Sequence, residues 1–162
     1  MSRKHIKAAS IFQGLSDEHL AAFEAIGKTQ MVERWTRIFN EGDPARNLYI
    51  VGTGRVALEV ALERPDGSHT PRTTVASLGP GDAFGISALV EPHVLTMSAY
   101  AVEPSELLLF EGHKLRDILE GNKAVGYVVM RNLAQVLEKR LAGAREAFVY
   151  DRALLRRQMS DS

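Results

Sequence analysis

Turns rich in glycine and proline cut residues 28–111 into runs too short to be helices. Asn40-Glu41-Gly42-Asp43-Pro44, Gly52-Thr53-Gly54, Pro65-Asp66-Gly67-Ser68 and Gly79-Pro80-Gly81 are the turns. Between them lie residues 31–35, 37–39, 48–51, 56–62 and 73–78, followed by 97–101 and 105–110. Each is apolar or alternates apolar with polar residues, the pattern of a short strand. Many short strands at near-regular spacing predict a β-sandwich or jelly roll over 28–111. Gly42, Gly52, Gly54 and Gly81 are expected at positive φ in the turns, and Gly85 at a close backbone approach to a ligand.

Helical periodicity flanks this region. In 1–27, Leu15 precedes Ser16-Asp17-Glu18, an N-cap with acids in the first turn, and Gly27 is a C-terminal stop. Leu20, Phe23 and Ile26 form the apolar face between them. In 112–162, Leu115, Ile118 and Leu119 mark a short helix ending at Gly121-Asn122, and a long helix is predicted over 123–158. Met130, Leu137, Leu141, Ala144, Phe148 and Leu155 fall near a heptad seam that Asp151 interrupts. A helix of that length outruns its own sandwich. Pairing with a second copy is the expected way to bury the seam, giving a homodimer; the competing arrangement folds the helix back on its own domain.

Composition narrows the function classes. The 162 residues suit one domain with an appendage, and the formal charge of zero disfavours a dedicated nucleic-acid binder. Cysteine is absent, which excludes disulfides, Cys-ligated zinc and iron–sulfur clusters. No apolar run is long enough to span a bilayer, and the polar start lacks a signal-peptide core, so a cytoplasmic protein is expected. No P-loop, HExxH or nucleophile elbow is present, so no enzyme is expected. Direct DNA binding is not expected either, because no helix-turn-helix follows the long helix.

Residues 78–98, LGPGDAFGISALVEPHVLTMS, combine a glycine turn, one helical turn and a strand. That order makes an anion cradle from backbone N–H groups. Yet no Lys or Arg occurs between Thr73 and His113, so nothing local neutralises a bound phosphate.

Leu15-Ser16, residues 38–44, residues 48–54 and residues 78–85 together resemble the cyclic nucleotide-binding domain, over about residues 10–145. The resemblance implies a mainly β fold, a jelly roll with flanking helices and a long C-terminal helix. It also implies a cassette of Phe-Gly-Glu, a small helix, then Arg, in which the Glu holds the ribose and the Arg the cyclic phosphate. Phe84-Gly85 match, but Ile86 stands at the Glu position and Leu95 at the Arg position, with Thr96 and Met97 after it. An Arg–phosphate interaction contributes about 1.5–3 kcal/mol, and more when desolvated. Losing both partners should weaken cyclic AMP or cyclic GMP binding by at least about 100-fold.

The ligand-contact residues carried over by the resemblance are Phe84, Gly85, Ile86, Ser87, Ala88, Leu89, Leu95, Thr96 and Met97, with Ala144 and Arg145 on the long helix. The expected function is a non-catalytic sensory or regulatory module for a cyclic nucleotide or another small effector, acting on a protein partner. The alternative is a ligand-independent dimeric scaffold. Ile86, Val90, Val94, Leu95 and Met97 make the cassette apolar, which suits either a pocket for an apolar or planar ligand such as haem or a pocket filled by its own side chains. The general burial of apolar stripes favours the filled pocket. Haem would draw an axial ligand from His93 or His113. The cations of 138–158 suit an acidic partner or a solvated helix face.

Overall fold

The short runs pair into two antiparallel four-stranded sheets in the computed structural model, which describes residues 2–160. The strands are β1 (Lys28–Val32), β2 (Arg37–Phe39), β3 (Asn47–Thr53), β4 (Val56–Val60), β5 (Thr73–Leu78), β6 (Ala83–Phe84), β7 (Ser98–Ala101) and β8 (Ser105–Glu111). One sheet has the order β1-β8-β3-β6 and the other β2-β7-β4-β5. Non-consecutive neighbours are the mark of a jelly roll, and the expected fold class holds. Ile50 faces Leu108 and Val51 faces Leu107 in the central register. All four are buried, because helices cover the outer face of this sheet.

Two of the expected strands, β1 and β4, stop sooner than their apolar runs, while β3 and β8 run further. β1 ends at Val32, and Trp35 lies in a turn at φ 67°, its N–H donating to the Ala101 carbonyl at 2.7 Å. Gly52 is the other departure. It sits inside β3 without a positive φ, where a Cβ would lie 3.1 Å from the Glu106 carbonyl and 3.2 Å from His5 Nδ1. Glycine is needed there for packing, not for a turn.

Helix α1 (Arg3–Ala8), a 3-10 turn (Ser10–Phe12) and α2 (Asp17–Ile26) form the N-terminal cover. Ser16 Oγ accepts from the His19 amide at 3.2 Å, the cap its position predicts. Phe12 stacks on Phe23 at 4.5 Å and meets the edge of Phe110 at 5.6 Å, which fixes this cover to β8. Helix α3 (Gly112–Gly121) returns the chain, and α4 runs through Lys123–Ser160. The ends of the expected outer segments, Met1 and 161–162, lie outside the described residues.

At 1.5 Å per residue the 38 residues of α4 extend about 57 Å. Its first half lies on its own domain through Val125, Val129 and Leu133, all buried. Buried Asn132 anchors it, donating to the Ile11 carbonyl at 3.1 Å and the Gln13 carbonyl at 2.8 Å. From Leu141 onward every described residue is exposed, Phe148 at 60% and Leu155 at 58%. The fold-back arrangement therefore describes the first half of the helix, and the uncovered seam the second. Among the described residues, no helix is long and apolar enough to cross a membrane.

Glu111 ties this frame together at the surface. Its carboxylate accepts from Lys28 at 2.7 Å and from Lys114 at 3.1 Å, joining β1 to α3. Those hydrogen bonds, Lys28 first, hold its pKa down at about 2. A carboxyl lowered on folding stabilises above its unfolded value, and that stabilisation is lost as pH falls toward the folded value. The difference in melting temperature between the unmodified protein and Glu111→Gln should be full above about pH 4.5 and vanish near pH 2. Thermal melts across that range check it; a constant difference would assign the effect to something other than ionisation.

A second prediction concerns two turn glycines. Gly54 (φ 89°) and Gly67 (φ 80°) both lie in the left-handed region, but a Cβ on Gly54 would sit 2.6 Å from the Pro104 carbonyl while one on Gly67 meets open space. Gly67→Ala should cost about 1 kcal/mol, and Gly54→Ala at least about 2 kcal/mol more. Urea denaturation measures both, and equal losses would mean the Gly54 contact relaxes.

Candidate functional site

The cassette begins where β6 meets a backbone that only glycine fits. Gly85 has φ 69°, and a Cβ there would lie 2.8 Å from the Asn47 carbonyl and 3.0 Å from the Tyr49 ring. The close approach that calls for glycine is to β3. Phe84 turns inward, fully buried, with its ring 5.1 Å from Tyr49 and 5.9 Å from Phe39. A 3-10 turn, Ile86–Leu89, follows.

This turn divides its side chains between two sides. Ile86 and Ser87 face a cavity, while Ala88 is buried against α3, its carbonyl accepting from Arg116 Nη1 at 2.6 Å. Leu89 contributes to a groove with Leu119, Tyr127 and Met130. The loop beyond is pinned by His93, whose Nδ1 lies 2.9 Å from the Ser87 carbonyl and whose own carbonyl accepts from the Ala45 amide at 2.8 Å. Leu95 is fixed by backbone bonds in both directions, donating to Asp43 at 2.9 Å and accepting from Gly42 at 2.8 Å.

The cavity encloses about 420 Å³, within the range of small-molecule sites. Gly85, Ile86, Ser87, Val90, Leu95, Thr96 and Met97 form its cassette wall, and Phe39, Leu58, Val75 and Ala76 its sheet wall. Leu137, Arg140, Leu141 and Ala144 of α4 close the third side. Ile86 and Leu95 line the space without filling it, so the expected collapse is corrected: an open, mainly apolar pocket remains. The reason lies in the backbone. Gly85 and the bonds of Leu95 hold these two residues at the wall.

Arg140 is the charged group on that wall. It is partly buried, and its Nη2 donates to the Ala83 carbonyl just before the cassette. Burial pulls the guanidinium below its ordinary pKa, and the nearby Asp82 carboxylate offsets this in part. Asp82 is itself held by the Gly79 amide at 2.9 Å.

Gly85, Ile86, Ser87, Leu95, Thr96, Met97 and Ala144 of the expected contact residues meet at this pocket. Phe84, Ala88 and Leu89 do not, since they pack into the body of the domain. Arg145 does not either: it is exposed, and the helix phase that turns Arg140 and Ala144 inward turns it to solvent. His93 and His113 line a separate cleft with Arg46 and Arg116, away from the apolar cavity. Among the described residues, no cluster of three or more His, Asp or Glu is placed to hold a metal. Sequence reasoning passed over Arg140 and placed Leu137 and Leu141 only on a dimer seam. Their spacing with Ala144, one stripe of a helix, was the available signal.

Comparison with known proteins agrees with this geometry. The profile described as cyclic nucleotide-binding domain matches residues 29–122, more than half of the chain. The cyclic AMP receptor protein of Thermus thermophilus is 30% identical over 139 residues, covering 86% of this chain and 60% of that protein. A CRP-like cAMP-activated global transcriptional regulator of Mycobacterium tuberculosis is 28% identical over 131 residues, covering 81% of this chain and 56% of the regulator. The chain thus spans under two thirds of the length of these relatives. A crystal structure from Geobacter metallireducens, of a protein named for cyclic nucleotide binding, superposes with a TM-score of 0.74 at 31% identity, covering 87% of this chain and 98% of that one. The jelly roll, the cassette position and the matched profile coincide, and the chain belongs to the cyclic nucleotide-binding domain family.

Proposed function

We propose that the chain is a non-catalytic regulatory module in which a small effector, bound in the cassette pocket, sets the position of α4. One observation carries this reading. The pocket is bounded on one side by the cassette and on another by Leu137, Arg140, Leu141 and Ala144 of α4, so an occupant touches both. A ligand that contacts two elements biases their relative arrangement by whatever its affinity differs between arrangements. The relatives named as a receptor and a cAMP-activated regulator support a binding role rather than a catalytic one.

The effector is not held as a cyclic nucleotide is held in an intact cassette. Ile86 and Leu95 both line the cavity, where they offer neither an acceptor to a ribose hydroxyl nor a cation to a phosphate. Cyclic AMP and cyclic GMP should therefore bind weakly or not at all. The distal half of α4 supplies the output: its exposed Phe148 and Leu155 suit pairing with a second copy, and the readout passes to a protein partner. The same exposed seam also suits the second reading, a dimeric scaffold that needs no ligand.

Calorimetric titration separates these readings. The unmodified protein should show no micromolar binding of cyclic AMP or cyclic GMP, and the Ile86→Glu, Leu95→Arg double variant should gain at least about 100-fold. Micromolar binding by the unmodified protein would overturn the reading of the two positions. Dimerisation has its own test at Phe148, which lies beyond the pocket, unlike Leu141. Sedimentation equilibrium should find a dimer that Phe148→Asp converts to monomers; a monomeric unmodified protein would remove the dimer from the proposal.

A further inference from the structure

We propose that the effector is a small organic molecule with an apolar body and a single negative charge, and that Arg140 of α4 holds that charge. This rests on the reading of the cassette pocket as an effector site. Arg140 is the one charged residue among those lining the cavity, and the walls around it are mainly apolar. A guanidinium carries five N–H donors in a planar fork. This one donates through Nη2 to the Ala83 carbonyl. The Asp82 carboxylate attracts it from beyond ion-pair distance and is already engaged by the Gly79 amide. A partly buried cation with unused donors on an apolar cavity is matched by a carboxylate, sulfonate or phosphate monoanion. A neutral occupant would strip water from the guanidinium without replacing it, and a polyanion would bring charges that the apolar walls cannot meet.

The position of Arg140 gives this contact a consequence. The cation on this cavity stands on the helix, and Leu95 occupies the cassette position. The anion then pulls on α4 itself, competing with the Ala83 carbonyl for the same guanidinium. Charge recognition and helix movement become one event.

Two fluorescent probes test this on the full chain. 8-Anilino-1-naphthalenesulfonate has an apolar ring system with one negative charge, and N-phenyl-1-naphthylamine has the same rings without it. The anion should bind at least about 10-fold more tightly than the neutral probe. Arg140→Met should erase this preference while leaving neutral-probe binding in place, which also reports that the variant is folded. Arg140→Lys should retain most of the preference, and Arg145→Met, on the exposed side, all of it. Ala144→Trp, which fills the cavity from the helix, should abolish binding of both probes. Equal affinity for the two probes, or an anion preference that survives Arg140→Met, would overturn the role of Arg140 and leave the pocket intact. Failure of both probes to bind, or binding indifferent to Ala144→Trp, would overturn the pocket as an effector site and this inference with it.

Discussion

A single buried amide sets how α4 lies on the domain. Asn132 gives both its side-chain protons to carbonyls of the N-terminal turn, Ile11 and Gln13. Leaving a buried polar group without partners costs about 1–3 kcal/mol, and neither turning the helix nor sliding it preserves both bonds. Val125, Val129 and Leu133 pack around the anchor and bury the same face. Eight residues further on, the phase so fixed delivers Arg140 to Ala83 and brings Leu137, Leu141 and Ala144 over the cavity. The N-terminal cover is therefore part of the site, although none of α1 or α2 touches the pocket.

The cassette frame answers to the fold before it answers to a ligand. Gly85 is required by the Asn47 carbonyl and the Tyr49 ring, Phe84 by its stacking between aromatic neighbours, and a small side chain at Ala88 by its complete burial beside Gly112. These demands come from the fold and persist whatever occupies the pocket. Ile86 and Leu95 stand at the boundary, since both line the open space and both also pack against the core. The frame is fixed by the backbone and the core, and the ligand chemistry by the few residues left over.

That division also explains what could be read in the chain alone. The jelly roll was legible because turns at Gly42, Gly54, Gly67 and Gly81 leave a positive-φ requirement in the sequence, and the Ser16 cap because its geometry is local. Gly52 was misread because a glycine needed for close strand packing looks the same as one needed for a turn. Gly85, Ile86, Ser87, Leu95, Thr96 and Met97 of the pocket wall came from the family resemblance, which rests on motifs local to the cassette. Arg140 was not legible. It stands among Lys139, Arg145 and other cations, and polarity alone cannot tell which is turned inward. Leu137 and Leu141 were read as an apolar stripe, and both border the cavity while staying largely exposed; periodicity marks such a face without saying what covers it.

The overhang of α4 has a mechanical meaning. From Asn132 to Ser160 the helix extends about 42 Å beyond its anchor, so a tilt of about 5° there would carry the far end through about 4 Å. A displacement of about 1 Å at Arg140 thus becomes one of about 4 Å at the tip. Leverage works in both directions. A partner that grips the tip and resists that swing stiffens the pocket wall, and by linkage changes the affinity for whatever lies against it.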